Sequence, residues 1–105
     1  MSSDKPPFVM RLTTNFDAWV VGSSAINTGT PPRDWDILVP WHRWHEATSM
    51  IPQNATPNSL GGWKFKIEGV EIDMWPGDLS WLAQQPKFKC ARHPRTNTLI
   101  TKDSQ

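Results

Sequence analysis

The sequence predicts an α/β fold of the α+β kind, a small mixed β-sheet with helices packed on one face, and three observations carry that expectation. Trp63-Lys-Phe-Lys-Ile67 and Val70-Glu-Ile-Asp-Met74 alternate apolar and polar residues with period two around Glu68-Gly69, the pattern of a two-residue hairpin. Asp34-Trp-Asp-Ile-Leu-Val39 reads as a further strand with both carboxylates on one face. Segments of helical spacing and a Pro-, Asn-, Ser- and Gly-rich loop lie between them, so strands and helices interleave.

In chain order, residues 1 to 7 read as a flexible tail, and Phe8 to Leu12 as a short ordered segment of undetermined type. Asp17 to Val21 is expected to be a strand. Ser24 to Asn27 begins a short helix that Gly29, Pro31 and Pro32 must end, because proline removes a backbone donor and clashes with the preceding turn. Trp35 to Val39 is the next strand. Trp41 to Met50 follows as a helix, with Trp41, Trp44, Ala47 and Ile51 as its apolar stripe. Ile51 to Gly62 is a loop.

The hairpin comes next, and its register follows from its turn. Ile67 should face Val70, Phe65 face Ile72 and Trp63 face Met74, while Lys66 pairs with Glu71 and Lys64 with Asp73 on the opposite side. Asp78 to Gln85 reads as a short helix capped by Asp78 and stopped by Pro86, and Asn97 to Thr101 as a last strand at the sheet edge.

Length and composition fit a single domain spanning 1–105. A chain of 105 residues with 37% hydrophobic content can bury one modest core. No apolar run reaches the length of a membrane span, and the polar start Met-Ser-Ser-Asp-Lys-Pro-Pro is no signal peptide, so a cytoplasmic location without membrane partners is expected. The single cysteine, Cys90, excludes an internal disulfide and reads as a small buried side chain. A net charge of +1 argues against an extended nucleic-acid surface. The charge is nonetheless uneven: from Leu79 to Lys102 stand Lys87, Lys89, Arg92, Arg95 and Lys102 with no acid, a segment that suits either a phosphate-rich ligand or plain solvation.

The chemistry concentrates on one pattern. Asp34 and Asp36 project from the same strand face, with Trp35, Ile37 and Val39 on the other. Carboxylates that close repel each other unless a divalent cation lies between them, and hard oxygen ligands with room for water and phosphate suit Mg2+ or Mn2+. Trp19-Val20-Val21 ends at Gly22-Ser23-Ser24, where a strand turning into a helix would offer backbone N–H groups to an anion. Asp73 completes a carboxylate triad if its hairpin face is the one carrying Asp34 and Asp36, with Lys64 beside it to neutralise phosphate charge. Arg33, next to Asp34, can bind phosphate or balance the acids. His42 and His45, three apart on a helix with Arg43 and Glu46 about them, are more often a solvated surface than a metal site. Most of the seven tryptophans occupy apolar positions, and Trp75, just past Asp73, is the candidate platform for a nucleobase.

Val-Val-Gly22-Ser23-Ser24, Pro32-Arg33-Asp34-Trp35-Asp36-Ile37-Leu38-Val39 and Val70-Glu71-Ile72-Asp73-Met74 together resemble the nucleotidyltransferase fold of the DNA polymerase beta superfamily. The Pro-Arg-Asp-x-Asp-Ile wording is similar to the head domain of CCA-adding enzymes and poly(A) polymerases. Ser23 after Gly22 is similar to the minimal nucleotidyltransferases instead, and Ala25-Ile26-Asn27 stands where the CCA-adding enzymes carry Val-Arg-Asp. The resemblance implies transfer of a nucleoside monophosphate from an NTP such as ATP to an acceptor hydroxyl, on a protein, small molecule or RNA end, by a two-metal mechanism. Asp34, Asp36 and Asp73 would be the catalytic metal ligands, and Gly22, Ser23, Arg33 and Lys64 would bind the nucleotide. The chain reads as a bare catalytic core whose second wall is expected from a homo-oligomer or a separate partner subunit. A protein of the same fold that has lost catalysis and serves as a binding or antitoxin-like regulatory partner is the alternative.

Overall fold

A computed structural model describes residues 5–25, 34–78, 80, 84 and 90–101, with the side chain of Ser23 left aside. Helix α1 (Pro7–Phe16) starts with proline at its first turn, where the missing N–H has no helical partner to lose. It ends at Asp17, whose left-handed backbone (φ 54°) turns the chain into β1 (Trp19–Val21). A 3-10 turn (Gly22–Ala25) follows, then β2 (Asp34–Val39), α2 (Trp41–Ala47) and a second 3-10 turn (Thr48–Met50). The remaining strands are β3 (Thr56–Pro57), β4 (Trp63–Ile67), β5 (Val70–Pro76), β6 (Cys90–Arg92) and β7 (Leu99–Thr101).

The strands form one mixed sheet of order β3-β4-β5-β2-β1-β6-β7. Every neighbouring pair is antiparallel except β2 and β5, which run parallel at the centre. The Gly77 N–H continues that parallel ladder to the Val39 carbonyl at 2.9 Å.

The α+β class, the mixed sheet and the hairpin agree with expectation. Trp63↔Met74, Lys64↔Asp73, Phe65↔Ile72, Lys66↔Glu71 and Ile67↔Val70 is the register the sequence predicts. Its turn has positive φ at both central residues, Glu68 (54°) and Gly69 (81°), the type I′ geometry that matches the twist of the strands it joins.

Alternation along the strands sorts the two sheet faces. One face carries Val20, Trp35, Ile37, Val39, Phe65, Ile72, Met74 and Cys90 and packs against Phe8, Val9 and Leu12 of α1 and Ala47 of α2. The rings of Phe8 and Phe65 meet edge to face with centroids 5.5 Å apart, a favoured geometry for two aromatics. The opposite face holds a smaller buried cluster, Val21, Leu38, Trp75 and Ala91, with Trp19 and Leu60 beside it.

Several boundaries differ from expectation. Lys5 and Pro6 are half-buried and Pro7 is already helical, so the predicted tail does not extend to residue 7. The segment from Phe8 is a helix that reaches Phe16, and Asp17 is its terminator rather than a strand residue. The helix predicted from Ser24 is a tighter 3-10 turn opening at Gly22; Ile26 and Asn27 lie outside the described residues. The helix predicted to Met50 becomes 3-10 at Thr48, where the Thr48 and Ser49 hydroxyls bond back to the carbonyls of His45 and Glu46, a local alternative to continued α-helix. Trp41 does not join the apolar stripe but stands 65% exposed. Strand β6 was not anticipated, the predicted loop from Ile51 to Gly62 contains the short strand β3, and the last strand begins at Leu99 rather than Asn97. Asp78 accepts the Ser80 N–H at 3.1 Å as a cap should, Ser80 and Gln84 are helical, and the rest of the predicted helix lies outside the described residues.

Two glycines behave differently. A Cβ on Gly62 would stand 2.0 Å from the Met74 carbonyl oxygen and 2.6 Å from Trp75 Cα, whereas one on Gly69 would meet only open space. We predict that Gly69→Ala costs about 1–2 kcal/mol from left-handed strain alone, and that Gly62→Ala costs roughly 3 kcal/mol or more because β5 must shift. Urea unfolding of the two variants checks the order, and a Gly62→Ala protein as stable as Gly69→Ala would contradict it.

Candidate functional site

The face of β2 and β5 turned away from the helices gathers the acids. In β2, Trp35, Ile37 and Val39 enter the helix-covered core, so Asp34 and Asp36 project to the other side. In β5, Ile72 and Met74 do the same and leave Glu71 and Asp73 with the two aspartates. The parallel register sets Asp36 beside Asp73 and Asp34 beside Glu71, and residues so paired on adjacent strands share one face. Asp36 and Asp73 are half-buried, while Asp34 and Glu71 are exposed. The three predicted carboxylates therefore share one face of the sheet, and Glu71 is a fourth acid on that face.

Lys64 stands next in the same row, opposite Asp73 on β4, and is exposed. The row runs Lys64, Asp73, Asp36, Val21 across four strands. Neither Lys64 with Asp73 nor Lys66 with Glu71 closes to an ion pair; the ion pairs formed among the described residues include Arg43 with Glu46 and Arg95 with Asp17. Lys64 is thus beside the acids without being committed to Asp73.

The Gly22–Ala25 turn adjoins this row because Val21 is the registered partner of Asp36. Gly22 leaves the strand at φ 70°. The Ser24 hydroxyl donates to the Val21 carbonyl at 2.8 Å and accepts the Asp36 N–H at 3.1 Å, bridging the backbones of the registered pair. Behind the turn, the Cys90 thiol donates to the Gly22 carbonyl at 3.2 Å. Burial raises the pKa of that thiol, with Arg92 opposing the effect, which keeps it a donor rather than a thiolate. The Arg92 guanidinium donates to the carbonyls of Ala25 and Asn97, each at 2.8 Å. Ser24, Cys90 and Arg92 together hold the turn beside Asp36.

Asn58, in the loop before β4, was not anticipated. Its Nδ2 donates to Asp73 Oδ1 at 2.5 Å and to the Met74 carbonyl at 3.3 Å, and its Oδ1 accepts the N–H groups of Leu60 and Gly62 at 2.9 and 2.8 Å. The available signal was an Asn two residues before Leu60 in a Gly-rich stretch, the pattern of an Asx turn, but nothing local ties such a turn to Asp73.

Other expectations need correction. Trp75 is fully buried in the second cluster and presents no ring for a nucleobase. Trp63, paired with Pro57 of β3, is 36% exposed. The Arg92 guanidinium donates to two backbone carbonyls, and Arg95, whose side chain is largely exposed, pairs with Asp17 at 3.1 Å. Arg33, Lys87, Lys89 and Lys102 lie outside the described residues. His42 and His45 are exposed, in agreement with the solvated surface expected for them.

Among the described residues no group of three or more His, Cys, Asp or Glu side chains is placed to hold a metal ion. The donor chemistry of the Asp36 and Asp73 pair still suits Mg2+ or Mn2+, since Mg2+ is commonly bound through one or two carboxylates with water and substrate phosphate in the other positions. Among the described residues no helix is long and apolar enough to cross a membrane. Comparison with protein-family models, with curated proteins and with solved structures finds no match.

The Ser24 bridge can be tested alone. Ser24→Ala leaves the Asp36 N–H and Val21 carbonyl without their shared partner in a buried position, which costs about 1–3 kcal/mol. Chemical denaturation should show that loss; a change within 0.5 kcal/mol, roughly the scale of an uninvolved surface site, would contradict the bridge.

Proposed function

We propose that the protein is a metal-dependent nucleotidyltransferase that moves a nucleoside monophosphate from an NTP to an acceptor hydroxyl. The observation that carries this reading is the in-register pair Asp36 and Asp73 on adjacent parallel strands, beside the turn that begins at Gly22. Two half-buried carboxylates side by side raise the local demand for a cation, and the neighbouring backbone turn suits an anion. Those are the two halves of a metal–triphosphate complex.

Each residue then has a stated task. Asp36 and Asp73 bind and orient the metal-bound triphosphate, with Asp34 two residues along the same face. Gly22 and Ser23 meet the terminal phosphates through backbone N–H groups. Lys64, exposed beside Asp73, balances phosphate charge. When bound, a divalent cation supplies neutralisation of the charge on the transferred phosphorus and lowers the pKa of the attacking hydroxyl. Asp73 accepts the proton of that hydroxyl. The acceptor is a protein side chain, a small hydroxyl compound or an RNA end.

Thermal unfolding with Mg2+ or Mn2+ and an NTP tests the reading. At about 100 times its Kd a ligand of the native state stabilises by about 2.7 kcal/mol, on the order of 10 °C or more in a chain this small. The wild type should show that shift, and Asp36→Asn or Asp73→Asn should lose most of it. The same variants should slow release of pyrophosphate on the order of a hundredfold or more. An equal metal response in wild type and variants would remove these residues as ligands. Absence of any metal-dependent NTP binding by the wild type would favour the non-catalytic, partner-binding alternative.

A further inference from the structure

The loop from Asn58 to Gly62 closes on the strand that carries Asp73, and Asn58 is its anchor. The amide orientation of Asn58 is dictated by its surroundings: two acceptors, Asp73 Oδ1 and the Met74 carbonyl, face one end, and two donors, the N–H groups of Leu60 and Gly62, face the other. A reversed amide would oppose donors to donors and acceptors to acceptors. The Asn58 N–H also donates to the Gly62 carbonyl at 3.1 Å, which closes the loop on itself. Gly62 in turn lies so close to Met74 and Trp75 that no side chain fits between loop and strand. The Asn58 amide is therefore held from its backbone and from both ends of its side chain.

We infer that Asn58 is a positioning residue for Asp73: it fixes one carboxylate oxygen and so sets the direction in which Oδ2 is presented to a divalent cation shared with Asp36. This rests on the metal-dependent reading above. A freely rotating aspartate must lose its side-chain freedom when it ligates, and an oxygen already held by a neutral amide donor removes much of that loss without adding charge. A lysine or arginine in the same place would fix the carboxylate equally well but would compete with the cation. The neutral amide does not.

The experiment is Mn2+ titration of the full chain, followed by electron paramagnetic resonance, on the wild type, Asn58→Ser and Leu60→Ala. Serine can keep the turn by accepting the Leu60 N–H but cannot reach Asp73, whereas Leu60→Ala loosens the same loop and leaves the Asn58 amide in place. Asn58→Ser should weaken Mn2+ binding on the order of 10- to 100-fold, and Leu60→Ala should keep the wild-type affinity. Wild-type affinity in Asn58→Ser, or an equal loss in Leu60→Ala, would overturn the positioning role while leaving the metal site intact. A wild type that binds no Mn2+ would overturn the functional reading and this inference with it. If Asn58→Ser does not fold, the side-chain amide resonance of Asn58 in wild-type NMR spectra decides instead. It should move on addition of Mg2+, and an unmoved resonance in a protein that binds Mg2+ would overturn the inference.

Discussion

The parallel register between β2 and β5 is the constraint from which the candidate site follows. Asp36 lies beside Asp73 only because Ile37 lies beside Met74 and Trp35 beside Ile72 on the helix-covered side. Side chains alternate with period two, so a slip of one residue on either strand would drive an ionised carboxylate in among Phe8, Val9 and Leu12. Burying a charge without a partner costs several kcal/mol, a large share of the stability of so small a domain. The apolar residues and the acids thus enforce the same register from opposite faces.

The hairpin carries this order outward. Its type I′ turn fixes β4 against β5 and so sets Lys64 beside Asp73, while β1 pairs with β2 on the other flank and delivers the Gly22 turn to Asp36. Like charges directly opposed on neighbouring strands oppose folding. Neighbouring groups offset the conflict, since Asn58 donates to Asp73, Lys64 stands next in the row, and Ser24 holds the backbone of Asp36. A local breach of the pairing rules that is supported from several sides is the kind of feature a ligand site produces.

Where local chemistry decides structure, the sequence was readable. The hairpin and its register follow from strict alternation around Glu68-Gly69, and the shared face of Asp34 and Asp36 follows from their spacing alone. What needed tertiary contact was not readable. Nothing near Asn58 points to a partner fifteen residues on, because the loop meets β5 only after β4 has paired. Trp75 looked available since it follows an exposed-face aspartate, yet Val21, Leu38 and Ala91 join it in a second buried cluster that local sequence does not announce. Arg92 looked like a free cation in a basic run, but β6 pairs it with Val20 and turns its guanidinium to Ala25 and Asn97. Strand β6 itself, three residues without clear alternation, owes its existence to β1.

The proposed function requires the Asp36 and Asp73 carboxylates to hold a divalent cation jointly on the face opposite α1 and α2. The direct measurement is a crystal structure of the protein grown with Mn2+, with the ion located by its anomalous scattering. The expected result is a peak within coordination distance of Asp36 and of the Asp73 oxygen that Asn58 does not hold. A well-ordered Asp36 and Asp73 with no peak between them, while Mn2+ binds elsewhere on the chain, would contradict it.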